Sequence, residues 1–157
     1  MMGIEEVEKE IISGKKLEDV IKKFGWKFFE NFVKEVLEIH SFTSFNNFRF
    51  KTVRRFEIDV LAVKGDLVLG IDCKMLSRGR YKKSEIRRAA LLQEERLREL
   101  KKVSASFNLS GKKFYSVLIT LLEEEIVKEG NTLVIPVWKL NNFLCNLEYY
   151  LSFSKNL

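Results

Sequence analysis

The chain has 157 residues, of which 46% are hydrophobic, and it carries a formal net charge of +6. This length fits one domain that buries roughly two-thirds of its unfolded surface. No apolar run approaches the roughly 18 residues of a membrane span, and the opening residues match no signal peptide, so we expect a cytoplasmic protein without a membrane partner. Two distant cysteines and one histidine exclude a disulfide framework and a structural zinc site. The positive charge favours a polyanionic partner, but charge alone is equally explained by solubility.

Three helices are predicted at the start of the chain: residues 4–12, 17–23 and 26–39. Three small helices can imitate a helix-turn-helix, but no recognition face is evident, so we favour a helical cap on the main domain. The chain is therefore divided into an N-terminal helical extension, 1–25, and a main domain, 26–157. Together they are expected to form a single compact unit.

The third helix carries one carboxylate on its apolar side. At 100° per residue, its apolar stripe consists of Trp26, Phe29, Val33, Val36 and Leu37. Glu30 falls within this stripe, whereas Glu35 and Glu38 lie on the opposite, solvated side. A carboxylate that faces a core needs a partner, which a metal or a lysine on the sheet would provide. The alternative is that Glu30 lies at the edge of the stripe and reaches solvent.

From residue 42 to residue 74 the hydrophobic period changes to two, which predicts three strands, the last two joined by a Lys64-Gly65-Asp66 turn. Both of these strands carry acids within apolar runs. Alternation places Asp72 and Lys74 on one face, opposite Ile71 and Cys73. By the same rule, Glu57 and Asp59 lie opposite a face made of Ile58, Val60 and Ala62.

The two acidic strands together predict a divalent metal site. A charge within an apolar strand is costly unless it is paired or binds a metal. Asp59 and Asp72 lie on neighbouring strands, and Lys74 adjoins the second acid. Because metal-bound carboxylates next to a lysine are suited to phosphodiester chemistry, hydrolysis of a phosphodiester is the activity that this pattern favours.

A basic run follows the third strand. Within eleven positions it contains six basic residues, opposed only by Glu85: Arg78, Arg80, Lys82, Lys83, Arg87 and Arg88. Such a cluster can neutralise phosphates and hold a nucleic-acid strand over the acids. The alternative is a solvated loop without a binding role, but the position directly after Lys74 favours nucleic-acid binding.

The helix predicted over 84–102 has an amide on its inward side. Its apolar stripe consists of Ile86, Ala89, Ala90, Leu97 and Leu100, and Gln93, the only glutamine of the chain, lies at the centre. A buried amide requires hydrogen-bond partners, which an active-site cleft would supply. The alternative is a packing role, with the amide bonded to backbone.

The remainder predicts two more strands, 112–122 and 133–137, and a last helix, 138–152, with a solvated turn at 123–125. The order of elements predicts an α/β protein with a mixed sheet of four or five strands and helices on both faces. We expect the last helix to pack its apolar stripe on the sheet. Its surplus aromatic residues also offer a two-fold interface, so a homodimer is predicted.

The pattern of Glu30 on a helix, Asp59 on a strand, Asp72-x-Lys74 on the next strand and Gln93 on the following helix resembles the PD-(D/E)xK nuclease superfamily. Within it, the similarity is greatest to the archaeal restriction-endonuclease-like and Holliday-junction-resolvase-like branch, and it covers roughly residues 26–137. The resemblance implies a restriction-endonuclease-like αβββαβ core. The chain departs from many members because no proline precedes Asp59 and because the triplet begins with aspartate.

The resemblance also implies a mechanism. Asp59 and Asp72, supported by Glu30 and the main-chain carbonyl of Cys73, would hold one or two Mg²⁺ or Mn²⁺ ions, which prefer oxygen ligands. The metal and Lys74 would activate a water for in-line attack on phosphorus. Gln93 would orient the water or a ligand. The expected function is metal-dependent endonucleolytic cleavage of duplex or branched DNA.

Two other functions remain open on the sequence. One is a nucleic-acid-binding or assembly module that keeps the nuclease fold without catalysis. The other is a role on RNA. The intact set of acids and the lysine favours the DNA-cleaving enzyme.

Overall fold

The computed structural model describes residues 4–76 and 82–157. Their regular elements, in chain order, are α1 (Ile4–Ile12), α2 (Leu17–Phe24), α3 (Trp26–Ile39), β1 (Thr43–Lys51), β2 (Arg55–Lys64), β3 (Leu67–Lys74), α4 (Lys82–Lys102), β4 (Lys113–Thr120), β5 (Lys128–Glu129), β6 (Thr132–Pro136), α5 (Leu140–Cys145) and α6 (Leu147–Leu151).

The strands form one mixed sheet in the order β1-β2-β3-β4-β6-β5. The first three are antiparallel neighbours, whereas β4 runs parallel to both β3 and β6. The predicted α/β class and the αβββαβ order, which α3 to β4 provide, are confirmed. The sheet has six strands instead of the expected four or five. The addition is the two-residue β5, paired antiparallel with β6, which lacks the apolar run that reveals a strand in sequence.

Helices cover both faces of the sheet. On one face, α3 packs Phe29, Val33 and Leu37 against the core that contains Leu69 and Ile71 of β3. On the other face, α4 packs Leu97 and Leu100 against a second core. A Cβ placed on Gly70 of β3 would lie 2.3 Å from Leu97 Cδ2, so the absence of a side chain there allows α4 to approach the strand closely.

The N-terminal helices pack on α3. Val7 of α1 and Ile21 of α2 belong to the same core as Phe28 and Phe29. The predicted stripe of α3 is wrong at Trp26, which is 58% exposed. Trp26 is the first residue of the helix. Its ring does not pack in the core, and Lys27 Nζ lies 4.9 Å from the ring centroid.

The predicted last helix is interrupted. A 3₁₀ turn at Val137–Lys139 precedes α5, and Asn146 separates α5 from α6 with φ −122° and ψ 36°. The Asn146 amide donates to the carbonyl of Asn142 at 2.9 Å, and such local bonds compete with helix continuation. The apolar stripe of this segment is largely buried in the α3-side core, whereas Tyr149 and Phe153 remain exposed.

No helix within residues 4–76 or 82–157 is both long enough and apolar enough to cross a membrane. The longest one, α4, is rich in charged residues on its exposed side.

Candidate metal and catalytic site

The candidate site lies where β2 and β3 separate. The two strands pair from Lys64↔Leu67 to Val60↔Ile71, and the pairing ends there. Beyond this point β2 pairs only with β1, and β3 pairs only with β4. We call this separation, with Asp59, Asp72, Cys73 and Lys74, the fork. In the fork the backbone N–H of Cys73 donates to Asp59 Oδ2 at 3.0 Å, so a carboxylate replaces the missing ladder partner.

A kink in β2 directs Asp59 into the fork. Ile58 packs in the α4-side core, whereas Val60 and Ala62 pack in the α3-side core. The predicted alternation, which placed these three residues on one face, is therefore wrong. On the neighbouring strand, Asn47 has φ 52° and lies between the pairs Asn46↔Val60 and Phe48↔Ile58. Such a local distortion re-aims a side chain, as bulges next to active sites do.

Asp72 is a buried carboxyl beside a second one. It is 4% exposed, and Lys74 Nζ lies 3.4 Å from its Oδ2, as their shared face predicts. Burial raises the pKa of Asp72 to about 7, and the adjacent Asp59 carboxyl adds to the effect, against the opposing influence of Lys74 and Arg96. The fork therefore contains a carboxyl that is poorly solvated and only partly neutralised.

Glu30 reaches the same region from α3. It is 5% exposed, so the alternative of a solvated position at the edge of the stripe is wrong. Burial raises its pKa to about 7, followed by the charge of Asp59. Burial, followed by the charges of Asp59, Asp72 and Glu30, raises the pKa of the Cys73 thiol.

Gln93 of α4 is fully buried. Its Oε1 accepts a hydrogen bond from Arg96 Nη1 at 3.0 Å, whereas its Nε2 has no partner within the described residues. The backbone-bonded packing role considered for Gln93 does not match this arrangement. Arg96 also acts on Asp72 by lowering its pKa. Sequence reasoning missed Arg96, although its position one helical turn after Gln93 was a usable signal.

Two of the six predicted phosphate-binding residues, Arg78 and Arg80, lie outside the described residues. Three others form ion pairs with the segment 124–129: Lys82–Glu124 at 2.9 Å, Lys83–Glu125 at 2.8 Å and Arg87–Glu129 at 3.6 Å. The solvated turn predicted at 123–125 is wrong at Glu124, whose side chain is 6% exposed because Lys82 pairs with it. Arg88, by contrast, lines a groove together with Lys74.

The carboxylate oxygens at the fork are the type of ligand that a hard divalent cation binds. Two carboxylate oxygens, Glu30 Oε1 and Asp72 Oδ2, are buried without a hydrogen-bond partner in the described residues, although Lys74 pairs with Asp72. The Nε2 of Gln93, which can only donate, also has no partner there. Buried polar atoms of this kind require a ligand, a water or an ion. Oxygen donors without histidine suit Mg²⁺ or Mn²⁺. Among residues 4–76 and 82–157, no three His, Cys, Asp or Glu side chains are already arranged as a metal-ligand group.

The fold and the fork together define an α/β protein with a mixed six-stranded sheet and a partly buried acidic cluster where two strands separate. No family model matches the chain. An uncharacterized protein of Archaeoglobus fulgidus is 35% identical over 128 residues, which cover 81% of this chain and 95% of that protein. The chain belongs to the same family as this protein.

Two crystal structures are similar over part of their length. The protein of unknown function AF1548 aligns with 59% of this chain at 23% identity and a TM-score of 0.45. The protein VC1899 from Vibrio cholerae aligns with 82% of this chain at 14% identity and a TM-score of 0.42. The chain spans 45% of the first protein and 34% of the second.

Proposed function

We propose that this protein is a metal-dependent DNA endonuclease that hydrolyses phosphodiester bonds at the fork. The observation that carries the proposal is the pair of adjacent carboxyls, Asp59 and Asp72. Lys74 Nζ lies 3.4 Å from an Asp72 oxygen that has no hydrogen bond from the described residues. The buried Asp72 carboxyl lies beside the half-buried Asp59, and Lys74 compensates only one of the two acids. A divalent cation would offset the charge of both.

The carboxyls would hold the cation. Asp59 and Asp72 would be its principal ligands, Glu30 would support it from α3, and the carbonyl of Cys73 would complete the set. A Mg²⁺ or Mn²⁺ ion bound there supplies Lewis-acid stabilisation of phosphate charge and lowers the pKa of water. The hydrogen bond from the Cys73 N–H fixes one oxygen of Asp59, which limits the orientations that its carboxylate can adopt.

The remaining side chains would act on the substrate. The ammonium group of Lys74, 38% exposed, is accessible to a phosphate and would neutralise the charge that develops during attack. Gln93 is fully buried and would act indirectly: Arg96 binds its Oε1, which leaves Nε2 as a donor that would orient the water or a ligand. Arg88, in the groove that contains Lys74, would bind a neighbouring phosphate.

The test is cleavage of plasmid, linear and branched DNA with Mg²⁺ or Mn²⁺. We expect the wild-type protein to nick DNA, and we expect Asp59→Ala and Lys74→Ala to lose at least about a hundredfold in rate, as removal of a charge-stabilising group does. Matched controls are Asp66→Ala and Lys113→Ala. Both residues are exposed at the other end of the sheet, and these variants should cut like wild type.

The outcomes separate the enzyme from a binding module. If the wild-type protein binds DNA but cuts none of the substrates with either metal, the enzyme is contradicted and the non-catalytic module is favoured. If cleavage survives both site substitutions, the assignment of the site is wrong. Preferential cleavage of an RNA of the same sequence would identify RNA as the substrate.

We also propose a homodimer, because cleavage of both strands of a duplex requires two sites. The exposed Tyr149 and Phe153 adjoin an apolar groove that Val127 and Pro136 also line, and they are the residues we expect at the interface. Light scattering at micromolar concentration should give twice the mass of one chain. A monomeric mass would contradict the proposal.

A further inference from the structure

The β1–β2 hairpin extends past β3 at the fork. Beyond Val60 of β2 and Asn46 of β1, the two strands pair only with each other, up to Lys51↔Arg55. We call residues 46–59 the ribbon. Because β3 pairs with β2 only up to Val60, the ribbon begins at the fork and continues away from it as two strands.

One face of the ribbon is buried. Phe48, Phe50, Phe56 and Ile58 pack in the α4-side core, with the rings of Phe50 and Phe56 stacked at 5.4 Å. Two polar contacts attach the tip to α4. Thr52 Oγ1 donates to Glu99 at 3.3 Å and Arg54 Nη2 donates to Glu95 at 2.8 Å. The ribbon is therefore held against the helix by packing and by side-chain hydrogen bonds.

The other face of the ribbon is exposed and basic. It consists of the cross-strand pairs Arg49↔Glu57 and Lys51↔Arg55, which line a shallow groove. Glu57 accepts hydrogen bonds from Asn47 and Arg49, so it compensates Arg49. None of the ion pairs between described residues involves Lys51 or Arg55. Two cations at the tip thus face solvent without a carboxylate partner in the described part of the chain.

The Lys51↔Arg55 pair is unfavourable for folding. Like charges directly opposite each other on one face of an antiparallel pair repel and destabilise the strands. A pair of cations in this position becomes favourable when an anion binds over it. A polyanion with evenly spaced charges is the partner that such a face fits.

We infer that the basic face of the ribbon, with Lys51 and Arg55 as its principal contacts, binds the phosphate backbone of duplex DNA to one side of the fork. This inference rests on the proposed function. Arg55 and Asp59 are four residues apart on one strand, a separation of about 14 Å. Since each strand of a duplex places one phosphate about every 3.4 Å along the axis, this contact would lie about four base pairs from the bond at the fork.

The experiment measures affinity for a fluorescein-labelled duplex by fluorescence anisotropy between about 50 and 200 mM salt, with Ca²⁺ in place of Mg²⁺. The variant is Lys51→Gln/Arg55→Gln. The matched control is Lys113→Gln/Lys155→Gln, which removes the same charge from exposed positions near the end of the sheet opposite the fork. A plot of the logarithm of the binding constant against the logarithm of the salt concentration has a negative slope. Loss of two phosphate contacts should make this slope shallower by about 1.8, whereas the control should keep the wild-type slope.

The outcomes test the ribbon contact and the nuclease proposal separately. A reduced slope, with a melting temperature equal to or above that of wild type, supports the ribbon contact. If the wild-type protein binds and cuts DNA but both double variants keep its slope, the ribbon contact is overturned and the nuclease stands. If the wild-type protein does not bind the duplex and cuts no DNA, both are overturned.

Discussion

Two neighbouring residues of α4 lie at contrasting polar clusters. Gln93 is bonded to Arg96, whose charge acts on Asp72 of the fork. Glu94 belongs to a cluster between α4, β4 and β6 that we call the anchor: Glu94, Ser116, Asn131 and Thr132. Each cluster contains a buried carboxylate, Asp72 at the fork and Glu94 at the anchor. Their hydrogen bonding differs, and on this difference we base the distinction between a structural polar cluster and a proposed ligand site.

The anchor is satisfied by the protein itself. Thr132 Oγ1 donates to Glu94 Oε2 at 2.9 Å and lies 2.8 Å from Ser116 Oγ. Arg98 and the backbone N–H of Asn131 also reach the Glu94 carboxylate at 3.4 Å. At the fork, Glu30 Oε1 and Gln93 Nε2 have no hydrogen-bond partner among residues 4–76 and 82–157, and Asp72 Oδ2 has only its ion pair with Lys74. A buried group without a partner costs about 1 to 3 kcal/mol, so the fork is the cluster that a ligand would stabilise.

The largest effect is expected at Asp72, whose pKa is raised from 3.8 to about 7 chiefly by burial. Because the folded state then binds more protons than the unfolded state between about pH 4 and 7, wild-type stability should fall as pH rises through this window. Asp72→Asn removes the penalty, so at about pH 8 in EDTA it should gain up to about 4 kcal/mol. Urea denaturation at about pH 5 and 8 measures the difference. If Asp72→Asn is less stable than wild type at pH 8, the Asp72 carboxylate does not destabilise the fold, and the contrast with the anchor is wrong.

At the anchor, removal of the carboxylate is expected to lower the unfolding free energy instead of raising it. Glu94→Gln exchanges a carboxylate that accepts from Thr132, Arg98 and Asn131 for an amide with one acceptor oxygen. It should lose about 1 to 3 kcal/mol of unfolding free energy, as the loss of buried charge-assisted hydrogen bonds does. The matched substitution at the fork is Glu30→Gln, which should be neutral or stabilising at about pH 8. Equal losses in both variants would show that the two clusters do not differ in this way.

A smaller effect is expected where α4 contacts β3. Gly70→Ala places a Cβ 2.3 Å from Leu97 Cδ2 and should destabilise the protein by about 1 to 3 kcal/mol through overpacking. The double variant Gly70→Ala/Leu97→Ala should lose less than the sum of the single variants, which a double-mutant cycle by urea denaturation measures. Additive losses would mean that this contact does not set the distance between α4 and the strand.

Much of the site was predictable from sequence because single polar residues interrupted regular apolar patterns. The burial of Glu30 and Gln93 followed from helical periodicity, and the ion pair of Lys74 with Asp72 followed from strand alternation. The orientation of Asp59 did not follow, since it depends on the kink between Ile58 and Val60 and on a positive φ at Asn47. The ion pairs of the basic run with residues 124–129 were also hidden, because they join segments that only the folded sheet brings together.

The central claim is that the fork binds a divalent cation, and calorimetric titration of the metal-free protein with Mn²⁺ tests it most directly. We predict a binding isotherm for the wild-type protein at about pH 8, its loss in Asp59→Asn and Asp72→Asn, and its retention in Asp66→Asn. No binding by the wild-type protein, or equal binding by Asp72→Asn, would contradict the account.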